Sequence, residues 1–197
     1  MIVKTITCRS MAVDDSRNEH VSPVSSVHER VRPVTQTTEE LTLRPFTTEQ
    51  ARRVLAGEHR ADDRWEGGYL FADENELVRE FLRVVDEQGD PAPFGPYLIR
   101  RGADGPAIGG VVFFGPPDID GIVEFAFALV PTVRGNGFAT EAVRAALSIA
   151  ESGGAFFARA EADIDNVPAQ RVLLRAGLIE IARTGDTVLF ETELPAA

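Results

Sequence analysis

A chain of 197 residues is long enough for one α/β domain with a substantial core and too short for two ordinary ones. Hydrophobic residues make up 44% and charged residues 26%, the balance of a soluble globular protein, and the formal net charge of -11 argues against nucleic acid or an anionic membrane as a general partner. The one cysteine, Cys8, excludes an intramolecular disulfide framework, no Cys/His cluster has metal-ligand spacing, and no apolar run nears the roughly 20 residues that cross a bilayer.

Residues 1–39 stand apart from the rest. From Asp14 to Glu40 the chain mixes Ser, Thr, Pro, Val and charges without a sustained period, so it is read as a largely irregular extension, although Met1–Cys8 alternates enough for a short strand. Such a segment packs on the domain or on a second subunit, which makes a homodimer one expectation. The opening residues lack the apolar core of a signal peptide, and with the single cysteine this predicts a reduced, cytoplasmic setting.

The folded domain is placed at residues 40–197. It opens with Leu41–Phe46, a short alternating strand stopped by a proline. Thr48 is placed to cap a helix over Glu49–Gly57. Glu74–Glu87 predicts a second helix, with Leu77, Phe81, Leu82 and Val85 on one face. Tyr97–Arg100, Ile108–Phe114 and Ile122–Val130 read as three strands joined by short Gly/Pro/Asp turns, hence an antiparallel meander. The pattern then changes. A glycine-containing loop leads to a helix over Thr140–Ser152, then a strand over Ala155–Ala162, a helix over Pro168–Ala176, and a final hairpin of Ile179–Arg183 and Thr187–Leu194. A strand–helix–strand crossover places its two strands in parallel. The fold expected is therefore α/β (α+β), a mixed, mostly antiparallel sheet with helices on both faces.

The stretch richest in chemistry is Val130-Pro131-Thr132-Val133-Arg134-Gly135-Asn136-Gly137-Phe138-Ala139-Thr140-Glu141. It is a strand end, a turn with two glycines, and a helix start. Glycines let backbone approach a ligand, and a helix N-terminus adds unsatisfied N–H donors and a positive dipole end, so a pyrophosphate would sit well there with Arg134 adding charge. On these grounds alone, an ordinary strand-to-helix connection with glycines for tight packing fits as well. Glu124 is the only ionisable residue of Ile122–Val130 and shares a face with Ile122, Ala126 and Ala128. A carboxylate in apolar surroundings has a raised pKa and accepts a proton from an ammonium; the competing reading is a solvated residue near the strand start.

Arg134-Gly135-Asn136-Gly137-Phe138-Ala139 resembles the Arg/Gln-x-x-Gly-x-Gly/Ala loop of GNAT acetyltransferases, with Pro131 three residues upstream. Asn166-Val167-Pro168-Ala169 through Gly177-Leu178 resembles that family's Asn-x-x-Ser/Ala…Gly-Phe helix, with Leu178 in place of Phe. The order of elements from Leu41 to Leu194 resembles the whole GNAT fold, and Leu43-Arg44-Pro45 with Thr140-Glu141-Ala142 resembles its RimJ/RimL-like branch, which acetylates protein N-termini and small amines.

The resemblance implies acetyl-CoA as co-substrate and a primary amine, on a small molecule or a protein N-terminus, as acceptor. Backbone groups of Ala128, Leu129 and Val130 would pair with the pantetheine arm. N–H groups from Arg134 through Gly135, Asn136, Gly137, Phe138, Ala139 and Thr140 would hold the pyrophosphate. Asn166 would contact the cofactor near its thioester; as a residue before Pro168 it also fits a helix N-cap. Glu124 matches a Glu found at a comparable place in related enzymes. Many relatives carry a Tyr seven residues after the Asn, as general acid to the leaving thiolate, whereas this chain has Leu173 there. Tyr69 and Tyr97 lie elsewhere, and His20, His28 and His59 fall in the extension or an early helix. Trp65, Tyr69 and Phe71, within Glu58–Phe71, are candidates for an acceptor pocket or for core. A non-catalytic acetyl-CoA-binding module, or an acyltransferase with another acyl group, fits the same motifs.

Overall fold

The computed structural model describes residues 34–58, 66 and 74–195. The expectations for Met1–Cys8, the three histidines, Trp65, Tyr69 and Phe71 lie outside the described residues.

Eight strands form one sheet in the order β1-β2-β3-β4-β5-β6-β8-β7. They are β1 (Gln36–Thr37), β2 (Leu41–Pro45), β3 (Pro96–Arg101), β4 (Ala107–Phe113), β5 (Ile122–Leu129), β6 (Phe157–Asp163), β7 (Ile179–Thr184) and β8 (Thr187–Glu193). Among the described residues four helices accompany them: α1 (Thr48–Leu55), α2 (Glu74–Gln88), α3 (Phe138–Ser152) and α4 (Val167–Ala176), with a 3-10 turn at Pro131–Val133. Every neighbouring pair is antiparallel except β5 and β6, which the α3 crossover sets in parallel. The segment before residue 40 is not wholly irregular, since Gln36–Thr37 adds a short strand beside β2.

Alternation sorts the side chains by face. Leu41, Leu43, Tyr97, Ile99, Val111, Phe113, Val123 and Phe125 share one face and are all buried. α3 covers that face with Phe138, Ala142, Val143, Ala146 and Ile149, and its C-terminal end reaches Phe94, whose ring meets Phe113 edge-on at 5.9 Å. β6 meets the helices through Ala158, Ala160 and Ala162, and such small residues let α3 and α4 lie close to the sheet. On the opposite face, Leu98 and Ile108 are buried, and α1 and α2 contribute Ala51, Val54 and Val78 to the core.

Three local expectations shift. α1 is capped by Thr47, not Thr48: Thr47 Oγ1 accepts from the Gln50 N–H while the Gln50 side chain accepts from the Thr47 N–H, a reciprocal box. In α2 the inward residue is Val78, with Phe81 and Leu82 beside it, while Leu77 is 45% exposed because it sits at the rim of the stripe. α3 begins at Phe138, two residues early, because Gly137 as N-cap takes a left-handed φ of 88° and turns the chain into the helix at once.

Candidate active site at the splayed strands

β5 and β6 start side by side and then part. Ile122, Val123 and Glu124 pair with Phe157, Ala158 and Arg159, and no further ladder pair joins the two strands. Beyond Glu124 the β6-facing edge of β5 is open. The bonds from Phe114 N–H to Glu124 O and from Val130 N–H to Ile108 O show that even-numbered residues of β5 turn their backbone groups toward β4. The odd residues Phe125, Phe127 and Leu129 therefore point theirs into the opening. Of the three residues expected to pair with a pantetheine arm, only Leu129 turns its backbone groups to the open edge; Ala128 and Val130 serve the β4 ladder.

The glycine loop closes the end of this opening. After the 3-10 turn, Gly135 and Gly137 take φ of 86° and 88°, conformations that a side chain resists. A Cβ built on either meets nothing within 4 Å, so their surroundings are open space. The Asn136 side chain donates to the Val133 carbonyl at 3.1 Å and steadies the turn. The Arg134 N–H bonds to the Pro131 carbonyl. The N–H groups of Gly135, Asn136, Gly137, Phe138, Ala139 and Thr140 have no acceptor among the described residues, and α3 has no side-chain cap. Six donors without acceptors thus lie in one short loop and helix start, at the positive end of a 15-residue helix.

Arg134 departs from expectation. Its Nε and Nη2 both donate to the Leu129 carbonyl, at 3.0 and 2.9 Å, so the guanidinium clamps the strand end to the loop. A carbonyl that points into the opening without a strand partner attracts the nearest strong donor. The fork that was expected to face phosphate is committed to backbone.

Glu141, in the first turn of α3, was noted in the sequence without a partner. Its Oε1 accepts from the Thr38 hydroxyl and, at 3.2 Å, from the Glu40 N–H, tying the β1–β2 connection to the helix start. A groove of ≈ 590 Å³ results, lined by Thr38, Glu40, Gly137, Thr140, Arg144 and Arg175 among others. Pairing over a separation of about a hundred residues leaves no local signal, and so Thr38 and Glu40 escaped notice.

Glu124 stands at the last paired position of β5, beside Arg159 in the ladder. It is exposed, so the apolar burial read from its neighbours is absent: among the described residues no helix covers the sheet face there. Arg159 does not neutralise it, being bonded instead to Glu191 at 2.6 and 2.9 Å. Asn166 caps α4, accepting from the Ala169 N–H at 3.3 Å, and Gln170 ties the cap to the β6 end through the Asp163 and Ile164 carbonyls. Because β5 and β6 are parallel, Asn166 and the glycine loop lie at the same end of the sheet. Leu173 is fully buried in the core. Tyr97 is buried against Phe113 and donates to the Pro93 carbonyl, and burial pushes its phenol up to about 12.

Residues 40–179 match the family model for the acetyltransferase (GNAT) domain. The chain belongs to the GNAT family. No curated protein sequence matches it. Among solved structures, the GNAT domain is similar to a ribosomal-protein-S5-alanine acetyltransferase from Vibrio fischeri, with 13% identity and a TM-score of 0.58 over 81% of this chain and 96% of that one. It is similar to a spermidine N-acetyltransferase variant from Vibrio cholerae, with 16% identity and a TM-score of 0.57 over 79% and 95%. A microcin C7 self-immunity acetyltransferase in complex with acetyl-CoA and AMP shows 15% identity and a TM-score of 0.53 over 80% and 94%. At such identities the likeness is of fold. Membership makes this GNAT protein an acyl-CoA-dependent acetyltransferase.

Proposed function

We propose that the protein transfers the acetyl group of acetyl-CoA to a primary amine, on a small molecule or a protein N-terminus, by direct attack while both substrates are bound. One observation carries this reading: the β5 edge opens after Glu124, and at the end of that same edge six unbonded N–H groups meet a helix N-terminus. These features fit the two polar parts of the cofactor. Amides of a pantetheine arm would pair with the Phe127 and Leu129 backbone, and the pyrophosphate would sit on the donors from Gly135 to Thr140. Asn166, at the mouth of the same opening beside the glycine loop, would meet the arm nearer the pyrophosphate than the thioester, which would lie toward Glu124.

The amine nitrogen forms a bond to the thioester carbonyl carbon, the carbon–sulfur bond breaks, and the electron pair leaves with sulfur as thiolate. The proton shed by the amine goes to the Glu124 carboxylate directly or through a water. With Leu173 buried where many relatives hold a tyrosine, the thiolate takes its proton from solvent. Holding both substrates together supplies most of the rate. The buried Leu173 also favours a second reading, a domain that binds acetyl-CoA without turnover. Thiol release with a panel of amines separates the two. Turnover of any amine above the hydrolysis background supports transfer, and binding of acetyl-CoA with no turnover across peptides, polyamines and small amines overturns it.

A further inference from the structure

The loop's own arginine is committed to backbone, which leaves open what balances the remaining charge of a ligand in the groove. The protein is acidic overall, and Arg52, Arg53, Arg83, Arg159 and Arg183 all pair with carboxylates. Arg144 and Arg175 make no ion pair among the described residues, and both line the groove at the start of α3. Arg144 lies four residues after Thr140 and seven after Gly137, so it shares their face of the helix, roughly 9 Å along the axis from Phe138. Its Nη2 donates to the Arg175 carbonyl at 2.7 Å. That bond caps the last turn of α4 and leaves most of the Arg144 donors free, and the Arg175 residue it reaches lines the same groove. Of the acids of the groove, Glu39 and Glu40 come from the β1–β2 connection, and Glu141, on α3 itself, has its carboxylate engaged by the Thr38 hydroxyl and the Glu40 N–H.

Two guanidinium groups that line one groove and are engaged by no carboxylate among the described residues suit a doubly charged anion. We propose that Arg144 and Arg175 form a subsite for a phosphate monoester, the 3′-phosphate on the adenosine of acetyl-CoA, one ribose away from the pyrophosphate. This inference rests on the cofactor reading given above. It separates the two ends of the cofactor by mechanism: neutral backbone donors hold the pyrophosphate, and guanidinium groups hold the monoester.

Calorimetry with acetyl-CoA and acetyl-3′-dephospho-CoA tests it, on the wild type and on Arg144→Gln, Arg175→Gln and the double variant. The Arg175 carbonyl is retained in every variant, so the α3–α4 tie is lost only with Arg144. The wild type is expected to prefer acetyl-CoA by about tenfold. The double variant should reduce that preference below about twofold while its affinity for the dephospho ligand stays near wild type. Equal wild-type affinity for the two ligands overturns the subsite alone. An equal loss for both ligands in the variants also overturns it, leaving the arginines as a brace between helices. Failure of the wild type to bind either ligand overturns the cofactor reading and the subsite together.

Discussion

Replacing Gly137 with alanine isolates the work of the loop's backbone. A Cβ there meets no atom within 4 Å, so the folded chain has room for it, and the cost is the positive φ of 88°. Left-handed backbone costs a residue with a side chain roughly 1–2 kcal/mol. For a domain of this size, each kcal/mol lowers Tm by about 2–4 °C, so a fall of roughly 2–8 °C is expected, with a folded protein at 25 °C. Binding should suffer more. The methyl group enters the open space beside the unbonded N–H groups of the helix start, and displacing one charge-assisted hydrogen bond costs about 1.5–3 kcal/mol, roughly ten- to 150-fold in Kd for acetyl-CoA. Gly109→Ala is the contrast. Its Cβ would stand 2.2 Å from the Ala128 carbonyl oxygen and 2.6 Å from Leu129 Cδ2, so β4 and β5 must shift, and stability should fall without a selective loss of ligand. Thermal unfolding followed by circular dichroism, with calorimetry on the same samples, reads both quantities. Affinity within twofold of wild type in a folded Gly137→Ala protein refutes the placement of the pyrophosphate.

Glu124→Gln preserves shape and removes the proton acceptor, so kcat at neutral pH should fall roughly 10²- to 10⁴-fold with acetyl-CoA affinity unchanged; steady-state kinetics showing full activity would leave solvent as the acceptor. Glu141→Ala frees Thr38 and Glu40, and the KM for acetyl-CoA should rise roughly three- to tenfold with kcat little altered; a loss confined to kcat would argue that the tie does not shape the groove. Tyr97 gives a pH signature. Burial holds the folded phenol near 12 while the unfolded one ionises near 10, so the unfolded state releases its proton first and wild-type stability should fall by roughly 2–3 kcal/mol as pH rises across that window. Tyr97→Phe should lack this fall, and below pH 9 should be about 1 kcal/mol less stable for want of the bond to Pro93; denaturant curves that stay parallel for the two proteins would contradict this.

Much of this fold was legible because its signals are local. Alternation in β2 to β5, the Asp/Gly/Pro turns between β3, β4 and β5, and Pro168 and Gly177 around α4 each act within a few residues, and the strands and helices they predict are present with ends displaced by at most two positions. The parallel β5–β6 pair followed from the crossover rule. What was missed depends on distance or direction. The identity of a residue does not tell which way its backbone groups point, so Ala128 and Val130 were assigned to the opening that Phe127 and Leu129 face. Arg134 carries the right charge for phosphate, but the unpaired Leu129 carbonyl, five residues away, claims it first. The apolar neighbours of Glu124 suggest burial, yet burial depends on what covers a sheet face, and no helix of the described residues lies over that part.

The short seam between β5 and β6 has a mechanical consequence. Three ladder pairs hold the two halves of the sheet together, and the opening beyond them is spanned by no backbone bond. Such a seam acts as a pivot: a small rotation about Val123 and Ala158 widens the far end while every existing ladder bond survives. The width of the opening at the glycine loop is then governed by how firmly α3 and α4 grip the two halves, and substitutions at the buried alanines of α3 should change acetyl-CoA affinity without altering a residue that lines the opening.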